Sequence, residues 1–111
     1  MNHARWQLAR DKRALHGEFE PPAIVAEREQ IRLAMALGQL VYDRRTQLGL
    51  NEDELAIRLG VTADEVEHLE VGGVLPVTSE LLLRIAAALE VSVDVHLATS
   101  GTAVSFAARA A

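Results

Sequence analysis

The side chains able to do chemistry are unevenly spread along this 111-residue chain. From Asn51 to Glu70 there are seven carboxylates, Glu52, Asp53, Glu54, Asp64, Glu65, Glu67 and Glu70, against one base, Arg58. Catalysis would need partners for these acids, and the sequence offers few. There is no Cys, and His3, His16, His68 and His96 are scattered, no two at ligand spacing on one helix. No glycine-rich phosphate loop follows a strand, and no Ser-His-carboxylate set can be assembled. His68 and Glu67 are adjacent but diverge on a helix, and His96 falls on the polar face of an alternating segment. The pattern predicts no metal, no cofactor and no enzyme.

The acids have another use. Asn51 precedes Glu54 by three positions, as Thr62 precedes Glu65, and each pair is a capping box at the start of a short helix. Glu70 is expected to brace the following loop through its backbone amides. Asp64 and Glu67 then remain for an open face.

Those starts fix a frame. Gly17, Pro21 and Pro22 separate a basic helical arm, roughly His3 to Leu15, from a long helix over Ala23 to about Leu48. Ile24, Ile31, Met35 and Leu40 or Val41 form the predicted inward stripe of that helix, Gly38 is a candidate bend, and Gly49 is its stop signal. Gly60 permits a tight turn between the short helices, and Leu55, Ala56, Leu59, Val61, Val66 and Leu69 are expected to hold them at a steep angle. Thr78 can cap a helix from Ser79 to about Leu89, with Leu81, Leu82, Ile85 and Leu89 inward; Glu90 stands where glycine would be usual. "VSVDVHLA" and "AVSFAA" alternate with period two around "TSGT". With Ser100 and Gly101 as turn residues, Leu97 would face Val104, Val95 would face Phe106 and Val93 would face Ala108.

The stretch "RRTQLGLNEDELAIRLGVTADEVEHLEVGGVLP" resembles the Xre/Cro-type helix-turn-helix family. The likeness is carried by Arg45 before Gly49, Leu55-Ala56, Leu59-Gly60-Val61, Thr62, Val66, and Glu70-x-Gly72 with Pro76 four residues on, and it continues to "ALEVS". It implies a mainly α, lambda-repressor-like helix-turn-helix domain over residues 23–90, preceded by a basic helical arm and linker over 1–22 and followed by a β-hairpin and tail over 91–111. It also implies that Thr62, Ala63, Asp64, Glu67 and His68 face the major groove of operator DNA, with Arg44, Arg45 and Arg58 near phosphates. Glu52 occupies a place where the family often has a phosphate-contacting Gln, and Val71, Gly73 and Val74 replace frequent basic residues. A carboxylate can read cytosine by accepting from its exocyclic amine, but several beside phosphates weaken binding.

The Trp-containing basic start, long helix, helix-turn-helix core and terminal strands together resemble HigA-like antitoxins of bacterial toxin-antitoxin modules. That likeness implies a homodimer that represses its own operon and neutralises a basic RelE-like toxin. Trp6 with Arg5, Arg10 and Arg13 would engage the toxin or stabilise the dimer, because Trp and Arg are enriched among interface hot spots; Trp6 could equally cover an end of the core.

Charge and composition agree with a selective binder. A net charge of -5 argues against indiscriminate coating of nucleic acid, and the basic start contrasts with the acidic middle. The start is amphipathic and charged, without an unbroken apolar stretch, so no signal peptide or membrane span is expected. The resulting expectation is a soluble cytoplasmic DNA-binding regulator, with a helix-turn-helix scaffold that has lost DNA binding and acts only between proteins as the alternative.

Overall fold

The computed structural model describes residues 20–109. The order there is α1 (Pro22–Gln47), α2 (Glu52–Leu59), α3 (Ala63–Glu70), α4 (Ser79–Leu89), β1 (Val91–Ala98) and β2 (Gly101–Ala108). The protein is mainly helical and ends in a two-stranded antiparallel hairpin. No described helix is long and apolar enough to cross a membrane.

α1 starts at its proline pair, Pro22 sitting where a first turn needs no amide hydrogen. It buries Leu33, Ala34, Leu37, Gly38, Val41 and Arg45. The predicted inward stripe is therefore corrected: Ile24, Ile31 and Met35 are 50%, 41% and 61% exposed, and only Val41 of that set is buried. α1 carries two apolar stripes, and packing chooses between them by size. Ala34 and Gly38 let α3 come close, which Ile or Met at those places would prevent. A Cβ on Gly38 would lie 2.6 Å from the carbonyl oxygens of both Leu69 and Glu70. Gly38, the candidate bend, lies within one continuous helix and serves as a contact point.

α2 and α3 begin as their caps dictate. Asn51 Oδ1 accepts from the Glu54 amide at 2.8 Å while Glu54 Oε1 accepts from the Asn51 amide at 2.9 Å, and Thr62 with Glu65 repeats the arrangement. Between them Gly60 takes φ 74, a conformation glycine adopts without a Cβ penalty. Leu55, Ala56, Leu59, Val66 and Leu69 are buried together against Leu37 and Val41 of α1 and Ile85 and Leu89 of α4. The Thr78 hydroxyl caps α4, accepting from the Leu81 amide at 3.2 Å.

The hairpin forms, with a register two residues away from the predicted one. Val91 pairs with Ala108, Val93 with Phe106, Val95 with Val104 and Leu97 with Thr102, so Thr99 and Ser100 make the turn. A two-residue slip keeps every side chain on its face, so alternation alone cannot separate the registers. The observed one starts pairing at Val91, 1% exposed, directly after α4, and Val93, Val95, Val104 and Phe106 pack on the helical core.

Gly38→Ala offers a direct check on this packing. Alanine favours a helix interior by up to about 1 kcal/mol over glycine, but the overlap here is with backbone carbonyls that cannot rotate away. The variant is expected to lose about 1–3 kcal/mol in urea unfolding; equal or greater stability would contradict the close α1–α3 approach.

Candidate functional site

α3 is held by two buried apolar side chains and by Glu70 at its end, and turns its outer face to solvent. Val66 and Leu69 are 0% and 4% exposed, whereas Thr62, Asp64, Glu67 and His68 are exposed and Ala63 is half-buried. The five residues expected to form a reading surface do therefore share one accessible region. Their hydrogen-bonding freedom differs. The Thr62 hydroxyl is taken up by its own capping box, accepting from the Glu65 amide and donating to Glu65 Oε1, both at 3.1 Å. The His68 imidazole lies over Gly73, where an added Cβ would overlap the ring. Asp64 and Glu67, exposed on the outer face, have no hydrogen-bond or ion-pair partner among the described residues.

The arginines expected beside phosphates point elsewhere. Arg45 is 9% exposed and meets Glu70 through two parallel bonds, Nε to Oε2 at 2.7 Å and Nη2 to Oε1 at 3.0 Å. Its Nη1 donates to the Leu50 carbonyl at 3.0 Å, and Tyr42 lies 5.2 Å from the guanidinium carbon. The Glu70 carboxylate holds the Arg45 guanidinium above its already high ordinary range. Glu70 is thus an ion-pair partner, not a brace for the following loop.

Arg44 and Arg58 converge on the other end of α4. Arg44 Nε donates to the Leu89 carbonyl and Arg58 Nη1 to the Ala88 carbonyl, each at 3.0 Å, and Arg58 also meets Glu90 Oε2 at 3.3 Å. Glu90 closes this helix at φ 57, where no glycine eases the turn. Two cations on the last carbonyls of α4 complement its negative end. Of the three predicted phosphate contacts, buried Arg45 is corrected to a structural role, while half-buried Arg44 and exposed Arg58 hold the end of α4 and keep part of the guanidinium at the surface.

What remains is acidic. Glu52, half-buried, lines a shallow cleft of about 570 Å3 with Gln39, Tyr42, Glu67, Val71 and the Arg45–Glu70 pair. Residues 20–109 contain seven arginines, no lysine and fourteen carboxylates. Trp6, Arg5, Arg10 and Arg13 lie outside the described residues.

One polar site escaped sequence reading. Glu29, 7% exposed, is buried between α1 and β2. Its Oε2 faces Arg28 Nε and Arg32 Nη1, each at 3.4 Å, while its Oε1 and the Thr102 hydroxyl are buried without a hydrogen-bond partner of good geometry. Thr102 first, then Arg28 and Arg32, keep the Glu29 carboxyl below its ordinary value of 4.5, against the opposing effect of burial. No signal in the sequence could have singled it out, since it is one acid in a charged helix start.

No protein-family model matches this chain. Among the described residues no group of three or more His or acidic side chains is arranged to hold a metal ion.

Two measurements follow from these ion pairs. Arg45→Ala leaves Glu70 buried and unpaired and is expected to cost about 3–5 kcal/mol in chemical unfolding, while the double substitution Arg45→Met with Glu70→Leu costs much less; equal costs would remove the pair from its proposed place in the fold. For Glu29, a folded pKa below the unfolded value means that its contribution is present above pH 4.5 and lost as pH falls through the folded value. The melting temperature of the unmodified chain should therefore drop more steeply below pH 4.5 than that of Glu29→Gln, and parallel curves would contradict this.

Proposed function

We propose that the chain is a homodimeric helix-turn-helix transcriptional regulator of the cytoplasm, in which α3 reads operator DNA. The observation that carries the proposal is the presentation of α3: two short capped helices around a glycine corner, the second anchored by Val66 and Leu69, with Asp64, Glu67 and His68 outward. Such a helix enters a major groove when its partner helix crosses the backbone. Carboxylates there would accept from cytosine amines, and the phosphate term would draw on exposed cations outside α3, Arg58 and Arg84 among them, and on Arg5, Arg10, Lys12 and Arg13. The uncovered stripe Ile24, Ile31 and Met35 of α1 supports dimerisation, because a helix with a second apolar face needs a second partner.

The likeness to HigA-like antitoxins gives the acidic surface a further use. A RelE-like toxin is basic, and opposite charge speeds encounter and selects partners. In this proposal the regulator represses its own operon and neutralises the toxin encoded with it.

A second reading is favoured by the arginines. With Arg45 paired inside the fold and Arg44 and Arg58 bonded to the last carbonyls of α4, the α2–α3 face carries seven acids and one exposed guanidinium, that of Arg58, which suits a scaffold acting only between proteins.

Binding to the DNA upstream of the gene, measured at two salt concentrations, separates the two. The regulator is expected to shift that DNA in preference to scrambled sequence at low salt, and Glu67→Ala to reduce the discrimination at one base pair by about 1–3 kcal/mol. No shift at low salt would remove DNA reading and leave the scaffold.

A further inference from the structure

The hairpin leaves a row of backbone groups without partners. The Arg109 amide donates to the Glu90 carbonyl at 3.2 Å, one step beyond the Val91–Ala108 pair, and so continues the same register. Bonded and unbonded pairs alternate in an antiparallel ladder. Ser92–Ala107, Asp94–Ser105 and His96–Ala103 are therefore the bonded pairs, and the amides and carbonyls of Thr102, Val104, Phe106 and Ala108 point away from β1. Among the described residues no hydrogen bond reaches that outer edge. Dry, unpaired backbone groups are rare, so this edge faces water or another chain.

Nothing in β2 guards the edge. "GTAVSFAA" is eight residues without a charge or a proline, and its register runs unbroken, with no bulge. Strand edges are usually blunted by those very features, because an open one is a template for a further strand. β1 differs, since it carries Asp94 and His96. A sheet of two strands is also marginal, and the inner faces of Val95, Val104 and Phe106 are only partly covered.

β2 is complementary to itself. Two copies laid antiparallel about a twofold axis at Ser105 set Val104 against the second copy's Phe106 and Ala103 against its Ala107. Val104 and Phe106 both direct their backbone groups outward, so these become bonded pairs, and they match an aromatic with a β-branched side chain on the inner face. No charge meets a like charge, and the outer face brings together only serine and alanine. The product is a four-stranded sheet whose two remaining edges are β1, the strand with charges.

We infer that the outer edge of β2 is the surface on which a second copy of this chain docks, through its own β2 and with Ser105 on the twofold axis. The inference rests on the homodimer reading above and fixes where the copies meet. The rival surface is the exposed stripe of α1. Ile24, Ile31 and Met35 lie on the opposite side of that helix from Val25, Ala26 and Glu29, which meet the hairpin, so the two surfaces can be altered independently.

Single cysteines in this cysteine-free chain test the axis, with sedimentation measuring assembly. Ser105 and its copy would form an unbonded pair with Cα atoms about 4.5 Å apart, within disulfide reach. Mild oxidation should link Ser105→Cys into covalent dimers. Asp94→Cys should stay unlinked, its copy lying three strand spacings, about 14 Å, away, and so should Ala103→Cys, which is offset along the strand. The unmodified chain should sediment as a dimer at micromolar concentration, Ser105→Lys as a monomer with α1 to α4 still folded, and Ile31→Lys as a dimer. A dimer that Ile31→Lys dissociates and Ser105→Lys does not, or one in which Ser105→Cys fails to link, overturns the hairpin contact and leaves the homodimer standing. A monomer in the unmodified chain overturns both.

Discussion

The Arg45 guanidinium joins three parts of the chain that would otherwise be free to move past one another. From the last turns of α1 it grips Glu70 at the end of α3 with two parallel bonds and holds the Leu50 carbonyl in the loop to α2. A planar fork matched to a carboxylate fixes orientation as well as distance, which a lysine at this place could not do. The nearby contact of Gly38 with the Leu69 and Glu70 carbonyls sets how close the two helices come. Together they determine which residues of α3 face solvent, because Val66 and Leu69 must point back toward α1 once the helix end is clamped. The outward display of Asp64, Glu67 and His68 is a consequence of that clamp.

Such use of charge has an electrostatic consequence. Arg44 and Arg58 stabilise the end of α4, and Arg45 stabilises the end of α3, so all three bases have partners within the fold, although only Arg45 is buried. The acids are divided differently: Glu54 and Glu65 cap helices, Glu70 is paired, and Asp64 and Glu67 stay open. The α2–α3 surface is left anionic.

α1 reaches past the helical core and meets the hairpin along β2, and its two apolar stripes have different fates there. One, built on Leu33, Ala34, Leu37 and Val41, makes the core; the other, Ile24, Ile31 and Met35, stays in solvent. The hairpin is likewise half-covered, since Val93, Val95, Val104 and Phe106 are only partly buried. A two-stranded sheet is marginal by itself, and packing on α1 and α4 is what holds it.

Local signals in the sequence determined the element boundaries. Asn51 with Glu54, Thr62 with Glu65, Thr78 before Ser79, the proline pair and Gly60 each act within one helical turn, so their outcome needs no knowledge of the rest of the chain. The burial of Val66 and Leu69 beneath exposed Asp64 and Glu67 was legible for the same reason, being a helical period over a short span. Tertiary structure alone decided which stripe of α1 turned inward, which of two equivalent registers the hairpin took, and what the arginines bonded. Periodicity identifies an apolar face but not its neighbour, alternation is unchanged by a slip of two, and a guanidinium's partner can lie twenty-five residues away, as Glu70 does from Arg45. Those choices were made by close approach and by the need to satisfy buried polar atoms, and neither is visible until the helices meet.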